Sequence, residues 1–215
     1  MAYNKKAVRE IRKTYLPVRS KISSRLREFK DIWKHGSEED IFSELVFCLL
    51  TPQSKAKVCW ATVEDLLDGR QLYNAGAGTL SRKLCKVRFR NNKARYIVEA
   101  RKKFLKNGKI SVRSKLGNPR IARDWLVHNI KGMGYKEASH FLRNIGFGEN
   151  IAILDRHILK NLKFTGVIRK IPASISKKHY FQIENKMKIF AKNIRIPLNH
   201  LDLVMWYKEA GEVFK

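Results

Sequence analysis

Two glycines, Gly132 and Gly134, interrupt an otherwise continuous pair of apolar helical stripes, and they dictate how this part of the chain must turn. Upstream, Ala122, Trp125, Leu126, Asn129 and Ile130 fall at the i, i+3, i+4, i+7, i+8 spacing of one helix face, which predicts a helix over Pro119–Ile130. Downstream, a second stripe runs from Tyr135 through Ala138, Phe141, Leu142 and Ile145 and stops at Gly146, a natural C-terminal cap. Between them, Ile130-Lys131-Gly132-Met133-Gly134 reads as a hairpin in which both glycines take backbone angles that a Cβ would resist. Residues 119–146 are thus expected to fold helix, hairpin, helix. The amides of the hairpin and of the following first turn would face outward as an anion site, suited to a backbone phosphate and blind to base sequence.

Lys136 falls in that first turn. A lysine is a nucleophile only as the free amine, and at the ordinary value near 10.4 only about a thousandth of it is free near neutral pH. The positive end of the helix dipole and basic neighbours such as Lys131 both disfavour the ammonium. Such an amine can attack C1′ of a flipped-out nucleotide, expel the base and leave a Schiff base. Asp155, in Ile153-Leu154-Asp155-Arg156-His157-Ile158, would supply a carboxylate to stabilise positive charge developing on the sugar. Taken singly, each residue has an ordinary reading. Lys136 would be one more solvated lysine, and Asp155 the N-cap of a helix over Arg156–Leu162. The hairpin, the lysine position and the aspartate together point to lyase chemistry.

Charge narrows the partner independently. Forty-six Lys and Arg stand against nineteen Asp and Glu, a net charge of +27, which favours a polyanion and makes nucleic acid the economical choice. Adaptation to heat would raise both signs together and does not explain the imbalance. Cys48, Cys59 and Cys85 are odd in number and lack metal-ligand spacing, and the proposed chemistry calls for no metal or cofactor. No apolar segment suited to secretion follows Met1, and the longest apolar run, Leu45–Leu50, is far too short for a bilayer. The expectation is a monomeric cytoplasmic protein with no membrane partner.

Elsewhere helical spacing dominates and strand alternation is scarce, so the fold class is mainly α. Val8, Ile11, Tyr15, Val18, Ile22, Leu26, Phe29 and Trp33 recur every three or four residues, with a break expected at Pro17. Further helices are predicted over Glu38–Leu50, Pro52–Leu67, Asn91–Lys106 (ending at Asn107-Gly108), Lys177–Asn193 and Leu198–Ala210.

The stretch Lys131-Gly132-Met133-Gly134-Tyr135-Lys136 through Gly146, with Leu154-Asp155-Arg156-His157-Ile158, resembles the helix-hairpin-helix superfamily of base-excision DNA glycosylases. More narrowly it is similar to the archaeal type 2 8-oxoguanine DNA glycosylase/AP lyases, a likeness extended by Val87–Ile97 and Leu201–Lys215. That resemblance implies an enzyme that removes 8-oxoguanine from double-stranded DNA and nicks the strand by β-elimination, with Lys136 as Schiff-base nucleophile and Asp155 as second catalytic residue. It implies two helical subdomains flanking a DNA-binding cleft: 38–152, a helical barrel including the hairpin motif, and 1–37 with 153–215. It implies that Phe89 and Trp206 hold the oxidised base between them and that the carboxylate of Lys215 reads its N7–H. The ordinary readings are core packing for the two aromatics and a frayed terminus for Lys215. Lys131, Gly132 and Gly134 would meet DNA. Gln53, beside Pro52, either fills the space left by the flipped nucleotide or merely sits where Pro52 opens a helix. No cysteine follows Cys85, so the C-terminal cluster that holds an iron–sulfur centre in the endonuclease III branch is missing. The alternatives are a glycosylase for another oxidised or alkylated base, or a non-catalytic DNA-binding protein. The latter would keep the glycines and have no use for Lys136 or Asp155.

Overall fold

The computed structural model describes residues 3–116 and 118–215. In chain order the elements are α1 Lys5–His35, α2 Glu38–Leu50, α3 Ala56–Asp68, α4 Gln71–Asn74, α5 Ala77–Lys83, α6 Arg90–Phe104, β1 Leu105–Lys106, β2 Lys109–Ile110, α7 Pro119–Asn129, α8 Tyr135–Asn144, α9 Arg156–Phe164, α10 Lys177–Asn193 and α11 Leu198–Ala210. They gather into two units, one of residues up to Asp31 with Gly146–Lys215, the other Ile32–Ile145.

In the unit formed by both ends of the chain, α1 buries Ala7, Ile11, Tyr15, Val18, Ile22, Leu26 and Phe29 along one stripe. The break expected at Pro17 does not occur, and the helix runs straight through it. A proline inside a helix costs about 3 kcal/mol. Here it lies on the exposed face, and the apolar stripe continues on both sides, each large buried side chain contributing roughly 1.5–3 kcal/mol. Tyr3 packs edge-on against Phe190 of α10, with ring centroids 4.8 Å apart.

In the other unit, α2 is the central helix. Ser37 caps it reciprocally with Asp40, and from Ile41 to Leu50 every residue is buried. With no polar face left, it is surrounded, packing against α3, α6 and α8. The carboxylate it buries, Glu44, accepts from Asn144 Nδ2 of α8 at 2.9 Å.

Two predicted boundaries move. Residues 52–55 form a turn, and the helix expected from Pro52 begins at Ala56, because Gln53 takes φ +55, outside helical space. The helix expected to reach Lys106 ends at Phe104. Asn107 (φ +49) and Gly108 (φ +74) instead make a two-residue turn that pairs Leu105 with Ile110 and Lys106 with Lys109. An Asn-Gly pair with both φ positive is the preferred connection of a tight β-hairpin.

Candidate active site

The expected helix, hairpin, helix is present as α7, residues 130–134 and α8. Gly132 sits at φ +85, and a Cβ there would lie 2.3 Å from the Tyr96 ring, so conformation and space both demand glycine. Gly134 differs from its expectation. Its φ of −91 and ψ of −177 are open to any residue, and it serves as the N-cap of α8. Its amide donates to Glu137 Oε2 at 3.2 Å, so the outward anion site expected of the hairpin already has a carboxylate on one of its donors. The same carboxylate meets Lys136, whose Nζ lies 3.2 Å from Glu137 Oε1. Lys136 is half-buried in the first turn of α8; Lys131 is exposed, with Nζ 3.8 Å from Glu99 Oε1 of α6.

Gln53 and Phe89 share an unusual conformation in this same unit. Both are exposed, and both are non-glycine residues in left-handed backbone, at φ +55 and +59. For a phenylalanine that is a strained position of a kind that persists where function requires it. Phe89 is 50% exposed, which rules out the core-packing reading, and the Arg88 guanidinium lies 5.2 Å from its ring centroid.

Beneath them is a residue that the sequence reading missed. Lys93, in the first turn of α6, is buried, and its Nζ donates to Leu50 O and Pro52 O, each at 2.7 Å, and to Ser54 Oγ at 3.2 Å. The ammonium thereby closes the carboxyl end of α2, where orphan carbonyls and the helix dipole both favour a cation. Ser54 Oγ also accepts the Arg88 amide at 3.0 Å. Burial lowers Lys93 to about 8; Cys59 opposes the shift, Lys136 reinforces it and Glu137 opposes it. Burial pushes the Cys59 thiol up to about 11, against the lowering effect of Lys93 and Ser54, which leaves it a poor nucleophile.

The unit of both ends holds Asp155, Trp206 and Lys215. Asp155 does cap α9, its Oδ1 accepting the Ile158 amide at 2.8 Å, so the ordinary reading of this residue is realised. The chain just before it is clamped by α10. Buried Tyr180 donates to Ala152 O at 2.7 Å and accepts from Leu154 N at 3.2 Å, while buried Glu184 accepts from Ala152 N at 2.9 Å. No local pattern signals these two residues. Trp206 on α11 is half-buried against His157 of α9, with ring centroids 5.0 Å apart. His157 Nδ1 in turn lies 3.4 Å from Glu209 Oε2. After Gly211, at φ +76, the tail turns, and Gly211–Val213 line a hollow of about 400 Å³ with Lys21, Ser24, Arg25 and Glu28 of α1. Lys215 is half-buried.

Among the described residues no group of three or more His, Cys, Asp or Glu side chains is placed to hold a metal ion. None of the described helices is long and apolar enough to cross a membrane.

Known proteins share both sequence and backbone with this chain. The family profile described as 8-oxoguanine DNA glycosylase (Ogg-HhH) matches residues 22–196. A protein of Fusobacterium nucleatum subsp. nucleatum named 8-oxoguanine DNA glycosylase/AP lyase is 50% identical over 209 residues, 96% of either chain. One of the same name from Methanocaldococcus jannaschii is 41% identical over 196 residues, 90% of this chain and 91% of that one. The crystal structure of the Thermotoga maritima 8-oxoguanine DNA glycosylase superposes with a TM-score of 0.87 at 34% identity, covering 98% of this chain and 99% of that one. That of the M. jannaschii 8-oxoguanine glycosylase/lyase in complex with a 15mer DNA containing 8-oxoguanine gives 0.87 at 35% identity, covering 97% and 99%. With likeness of this extent in sequence and in backbone, the chain belongs to the 8-oxoguanine DNA glycosylase family.

Proposed function

We propose that this protein is a bifunctional DNA N-glycosylase and AP lyase of base-excision repair, acting on 8-oxoguanine in double-stranded DNA. Family membership supports the class of reaction; the observation that carries the mechanism is Lys136 in the first turn of α8, directly after the Gly132 hairpin. The neutral amine of Lys136 bonds to C1′ as the glycosidic bond breaks, and the bonding pair leaves with the base, which takes up a proton. Asp155 stabilises the positive charge that builds on the sugar during this step. Ring opening leaves an iminium at C1′. Loss of a C2′ proton then expels the 3′ phosphate, which nicks the strand, and water releases Lys136.

Phe89 and Trp206 would stack on the extruded base. The left-handed Phe89 supports that role, since half of its surface is exposed rather than packed in a core. The carboxylate of Lys215 would accept a hydrogen bond from the N7–H, a donor that 8-oxoguanine has and guanine lacks. Gln53, exposed on its strained turn, would occupy the place vacated in the duplex, while Lys131, Gly132 and Gly134 meet the phosphates. The net charge of +27 supplies affinity without sequence preference.

The test is single-turnover cleavage of matched duplexes carrying 8-oxoguanine or guanine opposite cytosine, with wild type and Phe89→Ala. Excision confined to the oxidised base, and weakened by Phe89→Ala, is the expected result. Equal action on both duplexes, or action only on an alkylated or oxidised-pyrimidine control, overturns the assignment.

A further inference from the structure

Gln53 and Phe89 belong to two different loops, yet one buried side chain holds both. Lys93 Nζ bonds the carbonyls of Leu50 and Pro52 on either side of Thr51, and Ser54 Oγ receives both that ammonium and the Arg88 amide. The backbone immediately before Gln53 and the residue immediately after it therefore meet at one cation, and the residue immediately before Phe89 joins them through Ser54 Oγ. Phe89 is also tied from its other side, its carbonyl accepting the Lys93 amide at 3.1 Å.

Resting on the functional reading above, we propose that Lys93 is a positioning residue whose ammonium locks the Gln53 and Phe89 loops into the strained, outward conformation that extrudes and receives the damaged base. Two non-glycine residues at positive φ do not hold that conformation unaided, each being disfavoured relative to ordinary backbone. Three donors on one side chain, two of them spent on carbonyls, select it over the relaxed alternatives. A neutral side chain of the same length leaves both carbonyls without this donor and frees Ser54 from one of its two tasks. Lys93 is only 3% exposed, so it does not itself reach DNA. Its effect passes through Gln53 and Phe89, and it bears on extrusion of an intact nucleotide rather than on a site where the base is already gone.

That distinction supplies the experiment. Lys93→Met and, as a milder change, Ser54→Ala are compared with wild type on two duplexes, one with 8-oxoguanine and one with a preformed abasic site, under single turnover. 2-Aminopurine fluorescence beside the lesion follows base extrusion. Excision should fall about 10- to 100-fold in Lys93→Met, with loss of the extrusion signal, while cleavage of the abasic duplex stays within about threefold of wild type. Proportionate loss on both duplexes shows a merely structural role and overturns the proposal, as does undiminished excision by a folded variant. If Lys93→Met does not fold, Ser54→Ala decides by the same comparison, with a smaller fall in excision expected. A wild type inactive on the 8-oxoguanine duplex would instead overturn the functional reading on which the proposal rests.

Discussion

The Nζ of Lys136 lies 3.2 Å from Oε1 of Glu137, while the other oxygen of that carboxylate accepts the Gly134 amide, also at 3.2 Å. One acidic side chain thus holds the hairpin exit and pairs with the nucleophile of the proposed reaction. The amine must leave this ion pair before it can bond to C1′. Glu137→Gln keeps an acceptor for Gly134 and removes the charge, so it should raise severalfold the initial rate of borohydride-trapped adduct on an abasic duplex at neutral pH. A slower rate would show that Glu137 assists the chemistry.

The two hairpin glycines should respond unequally to alanine. Gly132→Ala meets both a φ of +85 and the Tyr96 ring, and should cost about 2 kcal/mol or more. Gly134→Ala keeps an ordinary φ, and its Cβ meets only Glu137 Oε2 at 3.1 Å, the movable end of a side chain, so it should cost less than about 1 kcal/mol. Urea unfolding measures both; equal losses would contradict the assignment of strain to Gly132 alone.

Tyr180→Phe removes one hydroxyl that serves both Ala152 O and Leu154 N, leaving two buried backbone groups short of a partner. Destabilisation of about 1–3 kcal/mol is expected. Because the clamped segment leads directly into Asp155, excision should slow even at temperatures where the variant is fully folded, a comparison made by single-turnover kinetics below the melting transition.

Lys93 gives stability a pH signature. It titrates near 8 when folded, against an ordinary value of 10.5, so between those limits the unfolded chain holds the proton that the folded one has released. Stability from this group therefore rises with pH across the window, by at most about 1.4 kcal/mol per unit, and below pH 8 the full cost of burying the ammonium is present. Comparing wild type with Lys93→Met cancels the other titrating groups. From pH 8 to pH 10 the difference in unfolding free energy should shift towards wild type by roughly 2 kcal/mol. Parallel curves would mean that Lys93 is not titrating in that range.

Much of the fold was legible because its signal is local. Spacing alone located α2, α7, α8, α10 and α11 to within a residue or two, and the Gly132 turn followed from its glycine. Pro17 misled because local chemistry speaks of a break, whereas a stripe of buried side chains on both sides of it decides. The β1–β2 turn carries an Asn107-Gly108 signal that fits a helix stop and a tight hairpin equally, and the pairing of Leu105 with Ile110 decides for the hairpin. Glu137 was likewise readable, three residues after the Gly134 cap.

Lys93 was not readable. In a chain with 46 basic residues a lysine on the Arg90–Phe104 helix looks solvated, and only partners some forty positions away at Leu50 and Pro52 make it a buried cap. Phe89 shows the same limit, since its left-handed backbone is imposed by tertiary bonds and not by a glycine.

The direct test of the central claim is covalent. Wild type and Lys136→Gln are incubated with a duplex bearing one 8-oxoguanine opposite cytosine, and borohydride is added to reduce any imine. A stable protein–DNA adduct with wild type alone, while Lys136→Gln still binds the duplex with similar salt dependence, is the expected result. An adduct of equal yield with Lys136→Gln, or excision by wild type with no adduct at all, would contradict Lys136 as the nucleophile.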